Sequence, residues 1–327
     1  MRRFTSLEIC AGAGGQAVGL EMAGFDPVML IDDDPHACAT LRANRPDWDV
    51  RQLDLLEFVG SDHPQVLDVD LLAGGLPRFP YTIAGKQPTV EPKYDLLRAA
   101  IWLALEVRPR AILLENVPAL VSSPKFTELR EFVEDELKNN SYECLWGILD
   151  ARDHGVPQRR EHGVLVAMRA QDIGAFHWPE PVGGAATVGE ALWHSMASRG
   201  WKGAAEWRLV ANEVAPPIIG GSKDRGGADL GPTRTKNIWS RLGINGSSIA
   251  DDVPGPDFVF DLGAARGGLP KLTVPQVAVL QGFPEDWVIS GRKTARYRQV
   301  GHAFPPPLAA ALGTSLTRAL SAREETA

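Results

Sequence analysis

The chain has 327 residues, enough for one large or two ordinary domains with a sizeable core. A hydrophobic content of 44% and a charged content of 23% are typical of a soluble globular protein and not of a disordered or membrane protein. The formal net charge of −7 argues only mildly against a polyanion partner, because nucleic-acid binding needs a local basic face rather than a basic chain.

Hydropathy and cysteine usage predict a cytoplasmic protein. No run approaches the ~18 apolar residues of a membrane span, and two basic residues lead directly into a strand pattern, so we expect neither a membrane segment nor a signal peptide. The three cysteines, Cys10, Cys38 and Cys144, lie far apart and lack metal-ligand spacing. We therefore expect no disulfide framework and no metal site.

Residues 1–170 alternate short apolar runs with amphipathic segments. The predicted strands lie in "FTSLEIC" (4–10), "FDPVMLID" (25–32), "RQLDLLEF" (51–58), "VDLLAGG" (69–75), "RAILLENV" (110–117), "YECLWGILDA" (142–151) and "HGVLVAM" (162–168). The predicted helices lie in "GGQAVGLEMAG" (14–24), "PHACATLRANRP" (35–46), "YDLLRAAIWLALEVRP" (94–109) and "FTELREFVEDELKNNSY" (126–142). Apolar strands separated by helices predict an α/β fold with a parallel sheet covered on both faces.

The pattern changes after residue 170. Helical periodicity fades, glycine and proline become dense, and five of the nine tryptophans fall between residues 171 and 267. The helical pattern returns in "LTVPQVAVLQGFPEDW" and "PPPLAAALGTSLTRALSA". We predict a sheet domain over 1–170, a second, loop-rich domain over 171–267, and a segment over 268–327 that returns to the first domain.

Glycines and carboxylates at the predicted strand ends indicate a nucleoside cofactor. "EICAGAGGQAVG" places glycines between the first strand and the first helix, where a ligand can approach the backbone. Asp32 ends the second strand, about the ~20-residue distance at which an acid binds a ribose diol. Asp54 ends the third predicted strand and suits an adenine amino group.

The order of the remaining motifs identifies a family. After the glycine turn come "AGGLPRFPYTIAGK", "LLENV", "DHGVPQRREHG", "GGLPKLTVPQVAVLQGFPEDW" and "RYRQVGHAFPPPLA". This series resembles the blocks FAGxGG, GGxPCQxFSxAG, ENV, QRRxR, RxLTxxExxxLQGFP and QxGNAxPPP of the cytosine-C5 DNA methyltransferases. The resemblance covers residues 5–168 and 268–318. The segment between them corresponds in position and length to a target-recognition domain.

The resemblance implies a Rossmann-like fold and S-adenosylmethionine as the methyl donor, with S-adenosylhomocysteine as the product. Cytosine C5 becomes nucleophilic only after a thiolate adds to C6, and the base must be flipped out of the duplex. On the residues that match, Glu115 activates the base, and Arg160 and His162 stand in the QRRxR block. The implied cofactor-binding residues are Cys10, Ala11, Gly12, Gly14, Gly15, Asp32, Asp33, Asp54, Leu55, Gly75, His302 and Ala303.

Arg78 stands where the family has its nucleophilic cysteine. A guanidinium keeps its proton and offers no lone pair, so it cannot add to C6. His162 and His302 also depart from the family, which has arginine and asparagine there. Three interpretations are open: Arg78 was introduced to disable or trap the enzyme, it supplies a cation that position 162 no longer does, or the two histidines are ordinary variation within the family. The rivals are a DNA-binding pseudo-enzyme and an amino-methyltransferase; "LPRFPY" lacks the acidic or polar residue that the latter favours before Pro-Pro-aromatic.

The expected partner is double-stranded DNA, with a cognate restriction endonuclease in the cell. We expect a monomer in the bacterial cytoplasm, associated with the nucleoid. The basic run "GGSKDRGGADLGPTRTKNIWSRLG" suits a DNA face, although such runs are also common in solvated loops. The candidate DNA-binding residues are Thr82, Gln158, Arg225, Arg234, Lys236 and Arg241.

Overall fold

A computed structural model describes the chain over residues 3–77, 96–221, 227–264 and 267–324. Three of the predicted site residues, Arg78, Thr82 and Arg225, lie outside these residues.

The first of two compact units contains residues 1–149, 161–180 and 309–327. It is built on a seven-stranded sheet with the strand order β3-β2-β1-β4-β5-β7-β6. The strands are β1 (Phe4–Ile9), β2 (Phe25–Asp32), β3 (Val50–Gln52), β4 (Leu71–Gly75), β5 (Ala111–Asn116), β6 (Tyr142–Asp150) and β7 (Glu161–Arg169). Strands β1 to β5 pair in parallel, and the order reverses between β1 and β4. In open α/β sheets a ligand binds at such a reversal, beyond the carboxyl ends of the strands.

Helices lie between and after the strands. In chain order they are α1 (Gly15–Met22), α2 (Pro35–Asn44), α3 (Leu96–Val107), α4 (Pro118–Ser122), α5 (Thr127–Asn139), α6 (Val188–Ala197), α7 (Ala204–Val210), α8 (Thr233–Arg241), α9 (Val274–Leu280), α10 (Lys293–His302) and α11 (Pro306–Glu324). Within the described part of the chain, none of them combines the length and the apolar character that crossing a membrane would need.

Two apolar clusters cover the two faces of the sheet. On one face, Leu7 and Ile9 of β1 pack in a large buried cluster that includes the apolar side of α3. On the other, Leu30 of β2 packs with Ala17 of α1 and Leu41 of α2. Alternate residues of the strands therefore enter different cores, which is why the strands read as continuous apolar runs.

The predicted Rossmann-like α/β fold is confirmed, but the prediction of an entirely parallel sheet was wrong. Strand β7 runs antiparallel to β5. Its neighbour β6 is followed by a short 3-10 turn at Ala151–His154 rather than by a crossover helix. A parallel connection needs a dozen or more residues, so the chain reverses direction here.

The second unit contains residues 150–160 and 181–308. The predicted divisions at 170/171 and 267/268 differ from this one, because residues 268–308 group with residues 181–267. Helical structure does not fade after residue 170 as predicted, since α6, α7 and α8 lie there. Helix α6 begins with a complete capping box, in which the side chain of Thr187 accepts from the N–H of Glu190 and the Glu190 carboxylate accepts from the N–H of Thr187.

A buried carboxyl group lies inside β1, next to the glycine turn. Glu8 is 1% exposed, and the Ser6 hydroxyl donates a hydrogen bond to it over 3.2 Å. Burial raises the pKa of Glu8 from 4.5 to about 8, and the charge of Glu21 raises it further. Folding therefore favours the protonated form of this group.

We predict that Glu8→Gln makes the chain more stable at pH 8 than the parent. Because the pKa of Glu8 is raised on folding, its contribution to the free energy of unfolding is fully present below pH 4.5. As the pH rises from 4.5 to about 8, the free energy of unfolding of the parent falls by about 1.4 kcal/mol per pH unit. Urea unfolding measured between pH 4.5 and about 8 should show that the stability advantage of Glu8→Gln over the parent becomes smaller as the pH falls. The exposed Glu57→Gln is the control and should show no such trend; the same pH slope in parent and Glu8→Gln would contradict the prediction.

Candidate active site

The predicted cofactor turn lies between β1 and α1, beside the end of β2. Backbone φ values of 49° at Cys10, 54° at Gly12 and 83° at Gly14 put the turn in the left-handed region, which favours glycine. The N–H of Gly12 donates to Oδ2 of Asp32 over 2.7 Å, and the N–H of Asp34 donates to Oδ1 over 2.9 Å. The Asp32 carboxylate therefore fixes the shape of the turn, which also contains Ala11 and leads into Gly15.

Three predicted acids surround the Cys10 thiol. Burial, followed by the charges of Asp32, Asp33 and Asp54, raises the pKa of Cys10 well above its ordinary value. Asp33 and Asp54 are exposed, and Leu55 is buried. Asp54 lies two residues beyond β3 rather than within a strand, and its Oδ1 accepts from the N–H of Leu56 over 2.9 Å. The structure thus groups the predicted ribose and adenine carboxylates around one turn.

A second group of predicted residues lies at the ends of β4, β5 and β7. Gly75 pairs with Glu115 across the parallel strands. Oε1 of Glu115 lies 2.7 Å from Nδ1 of His162, and the side chains of the two residues are 15% and 1% exposed. A carboxyl group hydrogen-bonded to a buried imidazole is held in one orientation and can bind or exchange a proton.

Backbone contacts hold the segment with Glu115 close to its neighbours. The N–H of Leu76 donates to the carbonyl of Glu115 over 3.1 Å, which ties the end of β4 to β5. A Cβ on Gly163 would lie 2.6 Å from the carbonyl oxygen of Val117. Only glycine at position 163 lets β7 approach the Glu-Asn-Val turn this closely, and His162 is its immediate neighbour.

Gln158 and Arg160 lie in the second unit and are buried. Gln158 is 0% exposed; its Nε2 donates to Gln281 Oε1 over 2.6 Å, and its Oε1 accepts from the N–H of Ile218. Arg160 donates through Nη1 to the carbonyls of Ile218 and Gly301. The expectation that Gln158 contacts DNA is therefore wrong, because its amide is already bonded inside the unit. The buried Arg160 joins the segments around Ile218 and Gly301 through these two hydrogen bonds.

The other predicted residues of the second unit lie on α8 and at the end of α10. Arg234 and Arg241 are exposed on α8, whereas Lys236 forms a 2.8 Å ion pair with Asp229. The basic run is thus partly helical, and one of its cations is partly neutralised. Nε2 of His302 lies 2.9 Å from the carbonyl oxygen of Gly221, and the adjacent Ala303 carbonyl accepts from Gln281.

Sequence reasoning missed Gln16. This side chain is 5% exposed, and its Oε1 lies 4.0 Å from the position that a Cβ on Gly75 would take. The signal was its place directly after the glycines, at the start of α1. As for metals, the described residues contain no group of three or more His, Cys, Asp or Glu side chains that could hold an ion.

Comparison with known proteins decides the family. The model of the C-5 cytosine-specific DNA methylases matches residues 4–318. The chain belongs to this family. It is 46% identical to the Type II methyltransferase M.NaeI of Lentzea aerocolonigenes, over 99% of this chain and 77% of the relative. It is 43% identical to M.NgoMIV of Neisseria gonorrhoeae, over 97% of this chain and 98% of the relative.

Solved structures agree on the fold. A putative DNA modification methyltransferase encoded within an E. coli prophage superposes with a TM-score of 0.68 at 18% identity, over 97% of this chain and 99% of that chain. The S. pombe Dnmt2 methyltransferase superposes with a TM-score of 0.63 at 19% identity, over 97% and 99% of the two chains. Because these identities are below 20%, the similarity to the two structures supports the fold and nothing further.

The sequence predicts that Arg78 stands at the position of a nucleophilic cysteine, so the environment of the three cysteines of the chain is of interest. All three cysteines are free. Burial raises the pKa of Cys38 and of Cys144 to about 11, with a further rise from Asp32 at Cys38 and from Glu134 at Cys144. The pKa of Cys10 is raised as well. Because a cysteine acts as a nucleophile through its thiolate, a raised pKa argues against a nucleophilic role for each of the three cysteines.

We predict that all three thiols of the folded chain react slowly with iodoacetamide. Their labelling rates, measured by mass spectrometry, should still rise about ten-fold per pH unit above pH ~8.5, where an ordinary thiol levels off. The urea-unfolded chain is the control, and its labelling rates should level off above pH ~8.5, as they do for an ordinary thiol. Rapid labelling of one cysteine in the folded chain at neutral pH would instead identify a thiolate.

Proposed function

We propose that the chain binds S-adenosylmethionine and duplex DNA, flips a cytosine, and is built to methylate its C5, but that Arg78 withholds the nucleophile. The observation that carries the proposal is the Glu115–His162 pair, with its 2.7 Å contact beside Gly75 at the carboxyl ends of the strands. Membership of the methylase family supports the reaction type.

The pair suits the activation of a pyrimidine ring. Oε1 of Glu115 contacts His162, while Oε2 lies 3.6 Å from the position that a Cβ on Gly75 would take. The first oxygen is thus fixed by the protein and the second faces the place of the missing side chain. There a carboxyl group can hold N3 and the exocyclic amine of cytosine and support the charge pushed into the ring by addition at C6. His162 stabilises Glu115 in that orientation.

The glycine turn and its acids fit the adenosine half of the cofactor, whose sulfonium supplies an electrophilic methyl group when it is bound. Asp32 offers the ribose diol a carboxylate already oriented by two backbone N–H groups. Gly12 and Gly14 let the ligand approach the backbone. The residues of the first unit that would hold the cofactor are those of the turn, with Asp33, Asp54, Leu55 and Gly75.

Arg78 separates binding from turnover. A guanidinium cannot add to C6, so the chain binds and flips its target without forming the covalent intermediate. The second candidate function is a DNA-binding pseudo-methyltransferase whose site no longer serves C5 methylation even with a cysteine at position 78, and the presence of Arg78 favours it as well. Arg234 and Arg241 would contact the DNA from the exposed side of α8. The partners we infer are duplex DNA and a cognate endonuclease, for a monomer in the bacterial cytoplasm.

We predict that Arg78→Cys forms a covalent adduct with a duplex library containing 5-fluorocytosine in the presence of cofactor, whereas the parent does not. Fluorine at C5 blocks release only after a nucleophile has added to C6. Arg78→Ala is the matched control, since it removes the cation without supplying a thiol, and it should form no adduct. Denaturing gel electrophoresis reads the result.

Two outcomes would contradict this proposal. An adduct with the parent or with Arg78→Ala would show that another residue is the nucleophile. If Arg78→Cys bound the duplex with the affinity of the parent and formed no adduct, the site would serve another purpose, and the pseudo-methyltransferase would be the better account.

A further inference from the structure

The first turn of α1 has no acceptor of its own. Gly14 is the N-cap residue and has no side chain to accept a hydrogen bond, and the first turn contains no acidic residue. The first amides of a helix have no partner within the helix, and its dipole favours negative charge at this end. An N-terminus alone would carry little weight, but a second, independent feature lies in the same turn.

That feature is the side chain of Gln16. It is 5% exposed, and its Nε2 has no hydrogen-bond partner among the residues that the structure describes. Its Oε1 and the Oε2 of Glu115 lie 4.0 Å and 3.6 Å from the same point, the position of a Cβ on Gly75. A buried amide donor without a partner is unfavourable, so its presence beside the proposed site points to a ligand acceptor.

We propose that Gln16 binds the carboxylate at the amino-acid end of the cofactor. This inference rests on the proposed function. An amide donor at a helix N-terminus suits an anionic oxygen acceptor. Gln16 lies four residues after Gly12, whose N–H is bonded to the proposed ribose acid Asp32, so one turn would serve both ends of the molecule.

The nearby Glu115 does not oppose this assignment. The amino-acid end of the cofactor carries an ammonium beside its carboxylate, so its net charge is zero. Glu115 is in addition hydrogen-bonded to His162 through Oε1. A phosphate, which has no such cation, would be disfavoured at the same place.

The test compares two ligands by calorimetry. S-Adenosylhomocysteine contains both the adenosine and the amino-acid end, whereas 5′-methylthioadenosine lacks the amino-acid end. Gln16→Met keeps the length of the side chain and removes the donor. This substitution should weaken the binding of S-adenosylhomocysteine roughly ten-fold or more and leave the affinity for 5′-methylthioadenosine within about two-fold of the parent's. Gln16→Glu, which places a negative charge there, should weaken the binding of S-adenosylhomocysteine further.

Asp32→Ala is the matched control for the adenosine end, and it should weaken the binding of both ligands. Equal affinities of parent and Gln16→Met for S-adenosylhomocysteine would overturn the inference. Equal losses for the two ligands would also overturn it, since Gln16 would then serve the adenosine end. If the parent bound neither ligand, the proposed cofactor itself would be wrong, which is a distinguishable failure.

Thermal unfolding without ligand separates binding from a structural role. Gln16→Met removes an unpaired buried donor, so the ligand-free variant should melt at the same temperature as the parent or higher. A clearly lower melting temperature would mean that Gln16 supports the fold, and the inference would fail.

Discussion

The site depends on how closely β1 and β4 approach at the point where the strand order reverses. A Cβ on Gly74 would lie 2.6 Å from Cγ1 of Ile9 and 2.9 Å from its carbonyl oxygen, so any other residue at position 74 would push the strands apart. This contact brings the glycine turn after β1 next to Gly75 at the end of β4. The predicted cofactor residues of the turn lie near Glu115 because the backbones meet there.

Around that contact, the site is organised by carboxyl groups whose bonding is already partly satisfied. Asp32 accepts two backbone N–H groups, and Glu115 is hydrogen-bonded to His162. Such groups need little reorganisation when a ligand binds, which is how a rigid scaffold favours binding and catalysis. The departures at positions 78 and 162 thus differ in kind. Histidine can still hydrogen-bond Glu115, whereas arginine cannot replace a thiolate.

The sequence predicted the first unit well, because local patterns decide its elements. The apolar runs, the glycine turn and the order of the motifs were sufficient to predict the fold and the family. The direction of β7 was missed because the short connection after β6 was given less weight than the apolar pattern. Helix α6 was missed although Thr187 and Glu190 form a readable capping box.

Other features depend on contacts between residues far apart in sequence. Gln158 looked like a DNA-binding residue, but its amide bonds to Gln281, 123 residues away. Tertiary packing likewise decides that Nε2 of Gln16 has no partner among the described residues and that Lys236 is paired with Asp229, and no local pattern reports either. The assignment of Arg78 depends instead on its position in an ordered series of motifs, and it stays a prediction because the residue lies outside the described residues.

The most direct test of this account is to identify the nucleoside that receives a labelled methyl group. The parent and Arg78→Cys are incubated with tritiated S-adenosylmethionine and a plasmid library, and the DNA is digested and separated by chromatography. We predict label in 5-methyldeoxycytidine for Arg78→Cys and none for the parent. Label in an amino-methylated nucleoside, or in 5-methyldeoxycytidine made by the parent, would contradict it.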